Sequence, residues 1–147
     1  MTIYLASDHA GFALKAHLAE FIGNLGFTVV DKGPFSLDEG DDYPDFMRPV
    51  GEEILKDPEH IRGIIMGGSG QGEAMAVNRM KGIRAAVYYG GPLDAVRLSR
   101  EHNDANVLAI GARLATATEA EQAVKLWLET SFTGEERHKR RIAKLDA

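Results

Sequence analysis

The sequence contains no cysteine among its 147 residues. This absence excludes disulfide bonds, metal sites built on thiolates and a cysteine nucleophile. Any chemistry that the protein carries out must therefore use Asp, Glu, His, Ser, Lys or Tyr side chains.

The sequence also lacks an excess of positive charge and a long apolar run. The net charge of −5 argues against general nucleic-acid binding, because proteins that bind the phosphate backbone usually carry a basic surface. No apolar stretch approaches the roughly 20 residues of a membrane span, and the opening MTIYLASD lacks the basic start and apolar stretch of a signal peptide. We expect a cytoplasmic protein with one domain over residues 1–147 and neither nucleic-acid nor membrane partners.

Short apolar runs alternate with segments of helical spacing along the chain. The predicted strands are Ile3–Ala6, Phe27–Val30, Ile61–Met66, Ala85–Tyr88 and Val107–Ile110. The predicted helices are a segment ending at Gly26, one around Phe46–Leu55, then Glu73–Met80, Leu93–Glu101, Thr118–Thr130 and a basic helix within Glu135–Lys144. The alternation predicts an α/β fold, a Rossmann-like three-layer sandwich with a five-stranded parallel sheet and a C-terminal basic helix. Ligands of such sheets bind beyond the carboxyl ends of the strands.

One long connection, Asp31–Asp45, contains acids, glycines and two prolines that make regular structure improbable. Loops of this length are often walls or lids of active sites. Pro49 lies inside the apparent helix that follows, so a kink or a late helix start is expected there.

A glycine-rich turn, GGSGQGE at 67–73, stands between the third strand and a helix. It lacks the Gly-Lys-Ser/Thr ending of a Walker A loop, and Glu73 occupies the position of the third glycine in a dinucleotide fingerprint. Glycine amides at the start of a helix bind anions, so the turn predicts an oxyanion site with a carboxylate beside it. Ser69 and the amides of Gly70–Gly72 could stabilise an enolate while Glu73 acts as a base. Glu73 could also be only an acid in the first turn of a helix.

The pKa of Glu73 is subject to two opposing influences. The helix N-terminus lowers the pKa of the carboxyl, whereas burial against Met66 and Met75 raises it. The sequence leaves the balance open.

The turns after the other strands supply further polar groups. Asp8 and His9 follow the first strand, Tyr89-Gly90-Gly91 the fourth, and Gly111-Ala112-Arg113 the fifth. Asp8 is equally well explained as a helix N-cap, and a lone histidine such as His9 is more often a surface residue. His102 and Asn103 are similarly ambiguous, because they also fit the end of a helix.

The C-terminal segment EERHKRRIAK contains six basic residues, counting His138, after two acids. This order complements a helix dipole, so a solvated helix is a sufficient explanation. Arg137 and Arg141 are also four apart and share one helix face with Arg140 beside it, which predicts a clamp for a phosphate dianion that Arg113 could join.

Six motifs in this order resemble one family over nearly the whole chain. They are SDHAG at 7–11, Tyr43-Pro44, GGSGQGE at 67–73, REHN at 100–103, GAR at 111–113 and RHKRR at 137–141. The chain resembles the type B ribose-5-phosphate isomerases, whose family also contains galactose-6-phosphate and allose-6-phosphate isomerases. Some members use a cysteine as base, in the slot of Gly67, and others a glutamate, here Glu73. The absence of cysteine agrees with the glutamate subgroup.

The resemblance implies reversible isomerisation of ribose 5-phosphate and ribulose 5-phosphate through a cis-enediolate, without metal or other cofactor. It implies catalytic roles for Glu73, Ser69, His102 and Asp8, with His102 assisting opening of the furanose ring. The implied substrate-binding residues are His9, Tyr43, Gly68, Gly70, Gly72, Asn103, Arg113, Arg137 and Arg141, with His138 as a further candidate at the phosphate. It also implies a homodimer or a dimer of dimers with active sites at a subunit interface.

Two alternatives remain open at this stage. The acids of the loop Gly33–Asp42, or the segment Tyr88–Pro92, could shift the preference to allose 6-phosphate, galactose 6-phosphate or a tetrulose phosphate. A protein that only senses a phosphorylated ligand would use the same glycine loop and basic helix, but it has no need for the Glu73 carboxylate.

Overall fold

The computed structural model describes all residues, 1–147. Five parallel strands form one sheet in the order β2-β1-β3-β5-β4. The strands are β1 (Thr2–Ser7), β2 (Thr28–Asp31), β3 (Ile61–Gly67), β4 (Ala85–Tyr88) and β5 (Val107–Gly111). The predicted α/β fold with a five-stranded parallel sheet is confirmed.

Six α-helices connect and flank the strands. They are α1 (Phe12–Asn24), α2 (Tyr43–Lys56), α3 (Gln71–Asn78), α4 (Asp94–Glu101), α5 (Ala117–Glu129) and α6 (Glu136–Ala143), and a 3-10 turn at His9–Gly11 precedes α1. Helix α1 ends at Asn24, and Gly26 follows with a φ of +95°, a conformation that favours glycine. A capping box between Thr116 and Glu119 begins α5. None of the helices has the length and apolar character needed to cross a membrane.

Apolar side chains cover both faces of the sheet, as expected when helices lie on each side. On one face, Ile64 and its neighbours pack with Trp127 of α5 and with residues of α1 and α4. On the other, Ile65 and its neighbours pack with Met47 and Val50 of α2 and with residues of α3. Adjacent strand residues point to opposite faces, so the continuous apolar run of β3 serves both cores. These are the three predicted layers.

Two predicted helix starts were wrong. Helix α2 begins at Tyr43, with Pro44 in its first turn, where a missing N–H costs no hydrogen bond. Pro49 therefore lies inside the helix and does not delay its start. Helix α3 begins at Gln71, two residues earlier than expected, because the left-handed Gly70 already turns the chain into the helix. This early start places Glu73 in the first helical turn.

Candidate active site

The glycine turn after β3 is locked to the turn after β5. The Ala112 N–H donates to the carbonyl of Gly67 at 2.7 Å, and the Arg113 N–H donates to the carbonyl of Gly68 at 3.1 Å. A Cβ at Gly70 would lie 3.1 Å from the backbone nitrogen of Gly111, and φ at Gly70 is +78°. Close backbone approach and a left-handed conformation both favour glycine here.

The Glu73 carboxylate folds back over Gly67 at the end of β3. Only 3% of the residue is exposed. A Cβ at Gly67 would lie 1.8 Å from Oε1 and 2.0 Å from Cδ of Glu73. The carboxylate therefore occupies the space that any side chain at position 67 would need.

Burial dominates the balance that the sequence left open for Glu73. Desolvation raises the pKa of its carboxyl above the ordinary value, and the nearby negative charge of Asp8 raises it further. The backbone amides of Glu73 and Gly70 act against this shift. Met75 does not contribute the expected burial, because it is 64% exposed, whereas Met66 is buried. A buried carboxyl with a raised pKa beside backbone donors is suited to proton transfer.

Glu73 faces a cleft of about 420 Å³ at the carboxyl ends of the strands. The cleft is lined by Tyr43, Gly68, Ser69, Gly72, Glu73, Arg113 and Leu114. The Tyr43 ring lies so close to Gly72 that a Cβ there would approach its Cζ to 2.7 Å. Six residues predicted for catalysis or substrate binding thus share one cleft, which is large enough for a small phosphorylated sugar.

Asp8 and His9 lie beside this cleft in the turn after β1. Asp8 Oδ1 accepts hydrogen bonds from the amides of Ala10 at 2.8 Å and Gly11 at 3.2 Å, so it does act as an N-cap. Its charge also raises the pKa of Glu73 and of His9, so Asp8 caps the turn and lies close enough to influence both groups. The His9 ring bonds to Asp41, from the loop before α2.

Asp8, His9 and Asp41 are the one cluster with the composition of a metal site. Their ligand atoms lie within 4.8 Å of one another. Asp8 is already bonded to two amides, and Asp41 to His9. The geometry is that of a hydrogen-bonded network.

Glu73 lies at the edge of the sheet formed by the carboxyl ends of the strands. His102 and Asn103 lie at the opposite edge, which is formed by the amino ends. Helix α4 runs back from the end of β4 to the start of β5, and the carbonyl of Asn103 accepts a hydrogen bond from Arg84, the residue before β4. The five residues of β5 separate the two edges, a distance of roughly 16 Å at 3.3 Å per residue. His102 and Asn103 therefore do not meet the glycine turn within one chain.

The basic helix α6 lies at this same opposite edge. Thr133, just before it, donates from its N–H and its hydroxyl to the carbonyl of Glu101. The His138 ring stacks on His102 with centroids 4.4 Å apart. His138 is buried, and desolvation and the neighbouring His102 lower its pKa. Its ring is thus covered within the chain.

Arg137 and Arg141 differ from His138 in being exposed on α6. Arg137 bonds to Glu135 at 2.8 Å, and no acid pairs with Arg141. A second cavity, of about 370 Å³, is also at this edge and includes Asn103 and Arg84 in its lining. One chain thus carries two separate groups of candidate residues, one around the glycine turn and Glu73 and the other around the basic helix α6.

The sequence did not indicate two residues at or beside the cleft, Asp41 and Leu114. Asp41 lay among several acids of an irregular loop, and its partner His9 is 32 residues away, so no local spacing marks the pair. Leu114 lines the cleft directly after Arg113, but an isolated leucine in a turn carries no signal of its own.

Comparisons with known proteins show the family to which the chain belongs. A model of the ribose/galactose isomerase family matches residues 3–145. The chain belongs to the ribose/galactose isomerase family. Among similar family members, ribose-5-phosphate isomerase B of Mycolicibacterium paratuberculosis is 39% identical over 142 residues, which span 97% of this chain and 87% of that protein.

Solved structures of the family extend the match to the fold. Ribose-5-phosphate isomerase B of Mycoplasma genitalium, with bound ribulose-5-phosphate, superposes with a TM-score of 0.93 at 39% identity, covering 98% of this chain and 93% of the other. Ribose-5-phosphate isomerase B of Clostridium thermocellum superposes with a TM-score of 0.92 at 40% identity, covering 99% and 95%.

Proposed function

We propose that this chain, as one domain, catalyses the reversible isomerisation of ribose 5-phosphate and ribulose 5-phosphate with Glu73 as the base. The observation that carries the proposal is the buried Glu73 carboxylate, held over Gly67 with a raised pKa in the cleft of the glycine turn. The names of the similar proteins, and the ribulose-5-phosphate bound to one of them, support this substrate. The compartment we propose is the cytoplasm.

The chemistry divides into two proton transfers at one carboxylate. Glu73 removes the proton from C2 of the open-chain aldose, and the C2 electrons form the double bond of a cis-enediolate as O1 gains charge. The Ser69 hydroxyl and the loop amides stabilise that charge and help move the hydroxyl proton from O2 to O1. The protonated Glu73 then returns its proton to C1, which yields the ketose and restores the carboxylate. No redox cofactor enters this balance.

The position of Gly67 supports assignment to the glutamate subgroup. A cysteine at position 67 and the observed Glu73 carboxylate would compete for one space, since the Cβ of residue 67 alone comes within 1.8 Å of Oε1. The two kinds of base are therefore alternatives at the same place in the cleft. With glycine at 67 and no cysteine in the chain, Glu73 is the group that fills it.

We further propose that a second copy of the chain completes the site. Tyr43, Ser69, Glu73 and Arg113 lie at one edge of the sheet, whereas the predicted ring-opening and phosphate-binding residues His102, Asn103, Arg137 and Arg141 lie at the other. A symmetric dimer in which the two edges meet would bring base and phosphate clamp together twice. In this arrangement the two groups can be roughly 16 Å apart within one chain, because each site combines one group from each of the two chains.

Complementation tests the shared site. Glu73→Gln and the double variant Arg137→Ala/Arg141→Ala should each be nearly inactive. When the two are unfolded and refolded together, about half of the dimers are hybrids with one intact site each, which restores about a quarter of wild-type activity. The same mixture without subunit exchange is the control. Sites confined to single chains would give no recovery.

Kinetics test the reaction itself. Purified protein without added metal should convert ribose 5-phosphate, and Glu73→Gln should lower kcat by roughly two to four orders of magnitude while ligand binding persists. The ratio of kcat/KM for ribose 5-phosphate and allose 6-phosphate decides between these sugars. Folded wild-type protein that turns over neither sugar would contradict the proposal and favour another phosphorylated sugar or a sensor.

A further inference from the structure

Asp41 makes two contacts with His9 through one oxygen. Its Oδ1 accepts from the His9 backbone N–H at 3.2 Å and lies 2.7 Å from His9 Nδ1. The carboxylate thus holds both the main chain and the ring of His9. The two contacts fix the direction in which the imidazole points, and the ring contact places a proton on Nδ1 when Asp41 is ionised.

The surroundings of Asp41 favour a charged histidine. The Asp41 side chain is only 5% exposed, and its second oxygen, Oδ2, is buried without a hydrogen-bond partner. A buried carboxylate is stabilised by an opposite charge, and His9 is the one cation that contacts it. Three charged groups act on His9: Asp41 from the loop before α2, Asp8 from the turn after β1 and Arg113 from the turn after β5. The hydrogen bond to Asp41 is the largest influence, and the net effect raises the pKa of His9.

An ion pair between a buried lysine and an exposed aspartate anchors the start of the loop that carries Asp41. Lys15 of α1 is 2% exposed, and its Nζ donates to both carboxylate oxygens of Asp31 at 2.7 and 2.8 Å. The same Nζ donates to the carbonyl of Pro34 at 2.6 Å. The far end of the loop continues directly into α2, which carries Tyr43 into the cleft. Asp41 is therefore presented by a loop fixed at both ends.

The exposed side of the His9 ring is free to meet a ligand. With Nδ1 bonded to Asp41, the remaining donor is Nε2, which makes no hydrogen bond within the chain, and 27% of the His9 side chain is exposed. Arg113, whose charge acts on His9, lines the cleft. A fixed imidazolium near a guanidinium forms a cationic pair suited to an anionic ligand.

We propose that Asp41 is a positioning residue that holds His9 as an imidazolium and aims its Nε2–H at an oxygen of the bound sugar phosphate. This inference rests on the proposed function for the identity of the ligand. Asp41 does not touch the substrate itself; it sets the charge and the orientation of the residue that does.

Histidine NMR tests the pairing without turnover. In protein with 15N-labelled histidine, the His9 signals are identified by their loss in His9→Gln. In wild-type protein they should titrate above the ordinary pKa of about 6.5 with Nδ1 protonated throughout. Asp41→Asn should lower the midpoint toward the ordinary value. The matched control is Glu39→Gln. Glu39 is an exposed acid of the same loop, so this substitution removes the same charge without removing a contact to His9, and it should leave the midpoint unchanged.

Kinetics then test the consequence for the substrate. Asp41→Asn should raise KM for ribose 5-phosphate by about 10-fold with a smaller change in kcat, as expected when one charge-assisted contact is weakened. The rise in KM with increasing pH should begin at lower pH than in wild type. Adding Asp41→Asn to His9→Gln should change KM no further, because Asp41 acts through His9.

Two results would overturn the inference. One is an unchanged His9 titration in Asp41→Asn, and the other is an equal loss of affinity in the His9→Gln background. Wild-type protein that does not isomerise ribose 5-phosphate, while its His9 titration still responds to Asp41→Asn, would instead refute the proposed substrate and leave the pairing intact.

Discussion

Replacing Gly67 by alanine should disable the base without unfolding the protein. The new Cβ would start 1.8 Å from Oε1 and 2.0 Å from Cδ of Glu73. Ordinary contact between such atoms needs about 3.4 Å or more, so the carboxylate must retreat by about 1.5 Å. The atoms in conflict are the end of a flexible side chain, so rotation of Glu73 can relieve the clash. A displacement of about 1 Å at a reacting group can cost roughly 100-fold in rate. We therefore expect kcat to fall at least about 100-fold.

The assay is steady-state conversion of ribose 5-phosphate, alongside circular dichroism to verify folding. Gly23→Ala is the matched control, because a Cβ at that position in α1 meets nothing within 4 Å. It should keep wild-type activity. Adding Gly67→Ala to Glu73→Ala should cost little further stability, since the conflicting carboxylate is gone. Wild-type kcat in Gly67→Ala would refute the placement of the carboxylate over Gly67.

Three further predictions concern the phosphate clamp, the charge on Glu73 and the core. Arg137→Ala or Arg141→Ala should raise KM by roughly 10- to 100-fold through loss of a charge-assisted contact. Lys139→Ala on the same helix is the control and should leave KM unchanged. Equal KM values in all three variants would contradict the clamp. The pKa of Glu73 is higher in the folded protein than in the unfolded chain. Ionisation of the buried carboxyl therefore lowers the free energy of unfolding at pH values above the folded-state pKa, and this loss is absent below the unfolded-state pKa. Glu73→Gln should therefore gain melting temperature over wild type at pH 8 and gain less at pH 5, and the reverse order would refute the sign. Ile64→Ala, at a fully buried position of β3, should lower the free energy of unfolding by about 2–5 kcal/mol in urea titrations; a loss under about 1 kcal/mol would contradict tight packing there.

The strands were predicted to within one residue at each end, because each is a short apolar run bounded by glycines or polar residues. The position of the glycine turn and of Glu73 after β3 could also be predicted, since the glycine spacing and the carboxylate are local features of the sequence. The position of His102 could not be predicted, because the four-residue motif REHN does not reveal that α4 ends at the opposite edge of the sheet. The separation of Glu73 from His102 follows from the direction in which each helix runs between strands, and only the three-dimensional path of the chain shows that direction. Asp41 illustrates the same limit, since its contact with His9 joins two segments with no shared pattern.

Proton exchange at the substrate is the most direct measurement of the role assigned to Glu73. Ribulose 5-phosphate in D2O is incubated with wild-type protein or Glu73→Gln, and deuterium at C1 is followed by NMR. Wild-type protein should exchange the C1 proton while it isomerises the sugar, and Glu73→Gln should lose both exchange and turnover by roughly two to four orders of magnitude. Binding of the sugar to the variant, measured by calorimetry, should persist. Exchange at the wild-type rate in Glu73→Gln would contradict the account, because another group would then be the base.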